Sequence, residues 1–273
     1  MVDRIASQEN RKIALVDDDA SQQNPKWIAP YSEMSIREAE KRLGIRLDEL
    51  RTVPIDQMLA NAKLSLKWAD AIKKTVYDRL VEYLAFEGFP KEAGADSKAK
   101  VSDLVLYVIG PILSDFSRKT ERKIRLDRER EVISIGNETG GITEFVVVDR
   151  ISVMKEESVL VIEVKGSSLG EGIKQCLLSL KDARDNNCGG EVYGFTTTGK
   201  SWRMIKYDGK DFLQTREIRL FFEGMDQERD LWLNNYSDLV DCMYFALFHG
   251  GEVRGAVLPE DVFAGSDARG EPV

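Results

Sequence analysis

The 273-residue chain holds one histidine and three cysteines, and that scarcity removes several chemistries at once. A metal centre built on two or three imidazoles cannot form around His249 alone, and a Ser-His-Asp apparatus would have to use it. His249 lies in FHGGE, where a helix C-terminus favours positive charge and accounts for the residue without catalysis. Cys176, Cys188 and Cys242 are odd in number and lack CxxC spacing, which argues against a disulfide framework and a zinc site. No apolar run reaches the roughly 18 residues of a membrane span. The longest, around Val101 to Leu113, is interrupted by Asp103, Gly110 and Pro111. The first residues lack the apolar segment of a secretory signal, so reduced thiols and a nuclear or cytoplasmic location are expected, with no membrane partner. Basic residues are in deficit too. A net charge of −8 is the wrong sign for binding nucleic acid over the whole surface, so any such binding must use a local patch. What is present is 42% apolar residues, enough to bury a real interior.

The pattern divides the chain into a polar lead (1–30) expected to be disordered or loosely attached, a helical appendage (31–95), a core (96–250) and a frayed tail (251–273). Ser35 and Glu38 form a capping-box signal, and Gly44 supplies a stop. From Pro54 to Phe86, apolar residues recur at helical spacing through Leu59, Leu64, Ile72, Val76, Leu80 and Leu84. The segment GFPKEAGADS at 88–97 is a breaker and the best internal boundary. Val101 to Phe116 then predicts a helix, kinked or divided at Gly110-Pro111. Lys123–Ile135 is a first strand. ITEFVVVDRISVM and SVLVIEVK flank the polar turn KEES and form an expected antiparallel hairpin. Ser168 with Glu171 opens a helix that ends at NNCGG. EVYGFTTT and WRMIKYDG pair across Gly199-Lys200, REIRLFF is a further strand, and a final helix spans about Leu231 to Phe248. The expected fold class is α/β, with a mixed central sheet in α-β-β-β-α-β order.

The third strand ends in Ile162-Glu163-Val164-Lys165, which sets a carboxylate and an ammonium on one face after an apolar run. A carboxylate there can bind Mg²⁺ through hard oxygen, and a lysine two residues on can orient or deprotonate an attacking water. A second acid is needed. With KEES as the turn, Asp149 lies near Glu163 and Glu144 lies about six residues, roughly 20 Å, further along. Asp149 is the expected partner, with an odd loop or a bulge placing its oxygens within roughly 6 Å of those of Glu163. Glu144 is the alternative acid.

A second-strand acid, then Glu-x-Lys, then a helix bearing glutamine resembles the PD-(D/E)XK, or restriction-endonuclease-like, nuclease superfamily. The longer strings VLVIEVKGSSLGEGIKQCLLSLKDARDNN and VYGFTTTGKSWRMIKYDG are most similar to nuclease-like domains of fungal Crinkler-type proteins. The resemblance covers about residues 98–248. It implies a Mg²⁺- or Mn²⁺-dependent nuclease, DNA being the expected substrate, or a fold of that kind that binds without turnover. It further implies Asp149, Glu163 and the Val164 carbonyl as metal ligands, Lys165 as the water-activating group, and Gln175 on the following helix as a site residue. An acid from the first core helix (Asp103, Asp115 or Glu121) often completes such sites. No Pro-Asp dipeptide precedes the pair, and Thr143-Glu144 stands where some relatives carry one. For substrate contact, SRKTERKIRLDRER at 117–130 holds seven basic against three acidic residues. This stripe offers Arg118, Lys119, Arg122 and Lys123 to phosphates, and Lys200, Trp202 and Arg203 at the TTTGKSW turn form a second candidate patch.

Overall fold

A computed structural model of the chain describes residues 27–60, 63–89, 98–165 and 169–251. The elements run β1 (Ala29–Pro30), α1 (Ile36–Leu43), β2 (Arg51–Val53), α2 (Ile55–Met58), α3 (Lys63–Glu87) and α4 (Lys98–Thr120). Then follow β3 (Ile124–Ile133), β4 (Thr139–Arg150), β5 (Glu156–Val164), α5 (Leu169–Asn186), β6 (Val192–Thr197), β7 (Ser201–Tyr207), β8 (Phe212–Thr215), β9 (Ile218–Arg219), α6 (Arg229–Asn235) and α7 (Asp238–His249). The class is α/β with a mixed sheet, in the order β1-β4-β5-β6-β7-β8-β2, with β3 also pairing β4 and β9 pairing β7. The meander β3-β4-β5 is antiparallel, whereas β5 and β6 run parallel across the α5 crossover.

Both faces of the sheet are covered, which is why its central strands are apolar almost without interruption. On one face α3, α4 and α7 form a core with Val105, Ile109, Phe116, Phe145, Ile162 and Phe245. On the other, α5 and α1 pack with Val146, Val148, Val161, Cys176 and Leu180. Gly194 of β6 lets α5 approach closely: a Cβ there would lie 2.6 Å from the Cys176 Sγ. The described residues of 31–90 are mainly helical, yet β2 also places this part of the chain in the sheet, as β1 does the segment just before it. Val53, Leu80 and Leu247 share one apolar cluster. The capping box at Ser35 is present, closed by Gly44 at φ 71, and the Ser168 cap lies outside the described residues.

Three expectations change. The helix around Pro111 is not divided but continuous from Lys98 to Thr120. Burial of Val108, Ile109, Ile112 and Phe116 outweighs the one backbone bond a proline removes. REIRLFF contributes only the two-residue β9, while Phe212–Thr215, too short to show a period, pairs with β7. The third change matters most. The β4–β5 hairpin turns at Ser152–Met154, not at KEES: the Ile151 amide donates to the Lys155 carbonyl (2.9 Å), and Glu156 is already paired with Arg150. Apolar Val153 and Met154 lie at the tip, almost wholly exposed. Hydrophobicity had placed them in the strand. Moving a hairpin turn by three residues moves every cross-strand partner by six.

Candidate active site at the end of strands β4 to β6

The register sets Asp149 opposite Glu157, not Glu163. Six residues of strand, roughly 20 Å, separate Glu157 from Glu163, so the expected closeness of Asp149 and Glu163 does not occur. A register shift does exist between Val147 and Val148, but it lies on the wrong stretch of strand to join them. Asp149 has a structural partner instead. Its Oδ2 accepts from Arg122 Nε at 2.7 Å, and the same guanidinium donates to the Leu247 and Gly250 carbonyls at the end of α7. The last carbonyls of a helix lack intrahelical donors, and Arg122, held by Asp149, supplies them.

Glu144 lies nearer to Glu163 along the ladder than Asp149 does. The ladder ends with Phe145 opposite Ile162, and Glu144 and Glu163 are the next residue beyond it on each strand. Regular alternation breaks at this point. Phe145 packs on the α4 face, yet Glu144 also reaches α4, accepting from Ser102 Oγ at 2.8 Å and pairing with the Lys98 ammonium. Glu129 of β3, between the Arg128–Phe145 and Arg130–Thr143 pairs, has φ 48. An irregularity of this kind re-aims a side chain at a strand edge.

Glu163 is 3% exposed. Burial pushes its carboxyl up to about 7 against the opposing pull of Lys165 and Lys98; Glu144 adds like charge, and a hydrogen bond from Thr143 favours the anion. Lys165 Nζ lies 3.8 Å from Glu163 Oε2 and donates to Gln175 Oε1. The expected Glu163–Lys165–Gln175 group is therefore brought together by β5 and α5. Gly172 makes the room: a Cβ there would come within 3.2 Å of the Lys165 Cγ and 3.3 Å of the Thr196 Cγ2.

Thr196, the β6 partner of Glu163, is fully buried, and its hydroxyl has no hydrogen-bond partner among the described residues. An unpaired buried hydroxyl is costly, and its place beside a buried carboxylate suits a site that takes a polar ligand. Lys98 pairs with Glu144 and also lowers the pKa of Glu163, so one positive charge already serves both carboxylates. Glu144 contacts α4 and Glu163 lies on the side of α5, and carboxylate oxygen is the hard donor that Mg²⁺ or Mn²⁺ prefers. Among the described residues no group of three His, Cys, Asp or Glu side chains is arranged to hold a metal, so a cation here would rely on backbone oxygen and substrate for its other ligands.

Lys98, Ser102, Thr143, Gly172 and Thr196 escaped sequence reasoning. Serine, threonine and glycine carry no periodic or charge signal, and Lys98 adjoins a segment that reads as a linker. Of the α4 acids, Asp115 lies 13 residues beyond Ser102, bound to Arg118, Lys119 and Tyr244. At 1.5 Å per residue that is roughly 20 Å away.

The basic stripe is largely spent on the protein itself. Besides Arg122, Arg118 and Lys119 pair with Asp115, and Arg125 and Arg130 pair with Asp127. Lys123 is exposed, but like Asp149 it lies at the sheet end away from Glu163. Trp202 is not a stacking surface: it is fully buried against Phe195, with its indole N–H donated to the Gly199 carbonyl. Arg203 is half-buried and donates to Gln214. Lys200 alone of that turn opens on a groove. Among the described residues no helix is long and apolar enough to cross a membrane. No family model and no curated protein matches the chain.

Proposed function

We propose that the chain is a metal-dependent phosphodiesterase acting on nucleic acid, DNA before RNA, with Glu144, Glu163, Lys165 and Gln175 as its reaction centre and the restriction-endonuclease-like core as its scaffold. The observation that carries this reading is the buried Glu163, held near neutral pKa beside Lys165 and coupled to a second carboxylate on the neighbouring strand. A divalent cation, when bound, polarises a phosphate and favours attack by water. Glu144, Glu163 and the Val164 carbonyl would hold it. Lys165 has the reach to position or deprotonate the attacking water, and Gln175 holds the ammonium in place. The antiparallel meander followed by a parallel crossover, with α4 before and α5 within it, supports the resemblance stated above. Asp149 has no part in the proposal.

One observation favours a second reading, a binding module without turnover. The cations beside Glu144 and Glu163 are lysines of the chain itself, an arrangement that would also satisfy an inert pair. Incubating the protein with labelled DNA and RNA in Mg²⁺, Mn²⁺ and EDTA separates the two. Cleavage that requires the metal and disappears in Glu163→Gln supports the first. Binding without cleavage in every metal supports the second.

A further inference from the structure

The turn Gly199-Lys200 borders a groove of about 370 Å³ lined by Phe89, Lys200, Leu220, Phe221, Phe222 and Glu223. It lies at the same sheet end as the candidate site. The Lys165 amide donates to the Thr197 carbonyl at 2.9 Å, and Lys200 follows three residues later, at most about 10 Å of extended chain. A Cβ on Gly199 would touch Leu104 and Val101 of α4, the helix whose first turns present Lys98 and Ser102 to Glu144. The groove therefore adjoins the site on its α4 side.

Its lining has a specific chemistry. Phe89 is 57% and Phe221 39% exposed, a solvation cost that a folded chain has no need to bear for two aromatic rings. Phe221 is already one layer of a stack, lying on Tyr236 with centroids 5.0 Å apart and planes 22° apart. Lys200 makes no ion pair among the described residues. Glu223 stands on the same lining, where a carboxylate accepts hydrogen bonds from the amino edge of a base. Aromatic faces, one cation and one acceptor together match a single nucleotide: stacking for the base, Lys200 for its phosphate and Glu223 for an exocyclic amine. A base inside a duplex offers no free face to such a groove.

We propose that this groove receives one unstacked base of the strand engaged at Glu163 and Lys165, so that the substrate is single-stranded or frayed nucleic acid. The proposal rests on the nucleic-acid reading above and adds the form of the substrate. Fluorescence anisotropy in EDTA tests it without cleavage, using a labelled single-stranded oligonucleotide and its blunt duplex with the full chain. The wild type is expected to bind the single strand more tightly. Phe89→Ala and Phe221→Ala should each weaken single-strand binding on the order of tenfold or more, with little effect on the duplex. Phe89→Trp should keep the affinity, and Lys200→Ala should reduce its salt dependence. Phe89 is exposed, so its variant remains informative if loss of Phe221 disturbs the stack on Tyr236. Wild-type affinity in both Phe89→Ala and Lys200→Ala, or equal losses on single strand and duplex, would overturn the proposal. The two readings fail separately. If the groove variants lose single-strand binding but no metal supports cleavage, the groove stands and the catalytic reading falls. If metal-dependent cleavage of duplex persists while the groove variants bind normally, the reverse holds.

Discussion

Replacing Glu163 with glutamine should make the protein more stable while disabling it. A carboxyl moved from an ordinary 4.5 to about 7 by burial binds its proton more tightly in the folded chain than in the unfolded one. Folding is therefore penalised as pH rises from about 4.5 to about 7, and above that the penalty is complete. At about 1.4 kcal/mol for each tenfold change in proton affinity, it amounts to about 3 kcal/mol. Little of this is relieved by solvent, because the side chain is 3% exposed. Glutamine keeps the shape and carries no charge to desolvate. Thermal unfolding followed by circular dichroism should give equal Tm values for wild type and Glu163→Gln near pH 4. Near pH 8 the variant should be ahead by on the order of 5–10 °C, given the usual few degrees per kcal/mol for a chain of this size. Mg²⁺ should raise the Tm of the wild type and leave the variant unmoved. A variant less stable than wild type at pH 8 would refute the reasoning, since it would mean that the Glu163 anion is net favourable where it stands.

Asp149→Asn should leave activity per folded molecule unchanged but destabilise the chain by about 1–3 kcal/mol, because the partly exposed Arg122 at the end of α7 loses its anion; denaturant unfolding with a parallel cleavage assay measures both. Lys165→Ala should lower the cleavage rate by about 10²–10⁴ with metal affinity retained, as calorimetric titration with Mn²⁺ would show. Metal affinity in the wild type should rise with pH up to about 7, since the cation must displace the proton on Glu163; affinity independent of pH between 5 and 8 would remove Glu163 from the ligand set. Gly194→Ala should cost about 1–3 kcal/mol in urea unfolding, because the new methyl meets the Cys176 sulfur.

The α/β class was legible because its central strands are runs of valine and isoleucine, its long helices keep a helical period and α1 carries its capping box. The group Glu163, Lys165 and Gln175 was legible for the same reason: spacing two along a strand, and ten to the next helix, survives small errors in element ends. The β4 acid nearest Glu163 was not. Its identity depended on the hairpin register, and the apolar Val153 and Met154 at the exposed tip looked like strand while the polar KEES looked like turn. Proximity in sequence then favoured Asp149. The sheet edges were hidden because Ala29–Pro30 and Arg51–Val53 are two and three residues long and their pairing is entirely non-local. The basic stripe misled in another way: charge is visible in a sequence, but the ion pairs that consume it are not. Trp202, fully buried, and Phe89, 57% exposed, show the same gap for aromatic rings.

The most direct test of the account compares Glu144→Gln and Asp149→Asn with the wild type in one assay, the cleavage of labelled single-stranded DNA in Mg²⁺ and Mn²⁺, after matching the samples for folded protein. The account predicts metal-dependent cleavage by the wild type, loss of on the order of a hundredfold or more in Glu144→Gln, and a wild-type rate in Asp149→Asn. Equal activity in wild type and Glu144→Gln, with loss confined to Asp149→Asn, would contradict it.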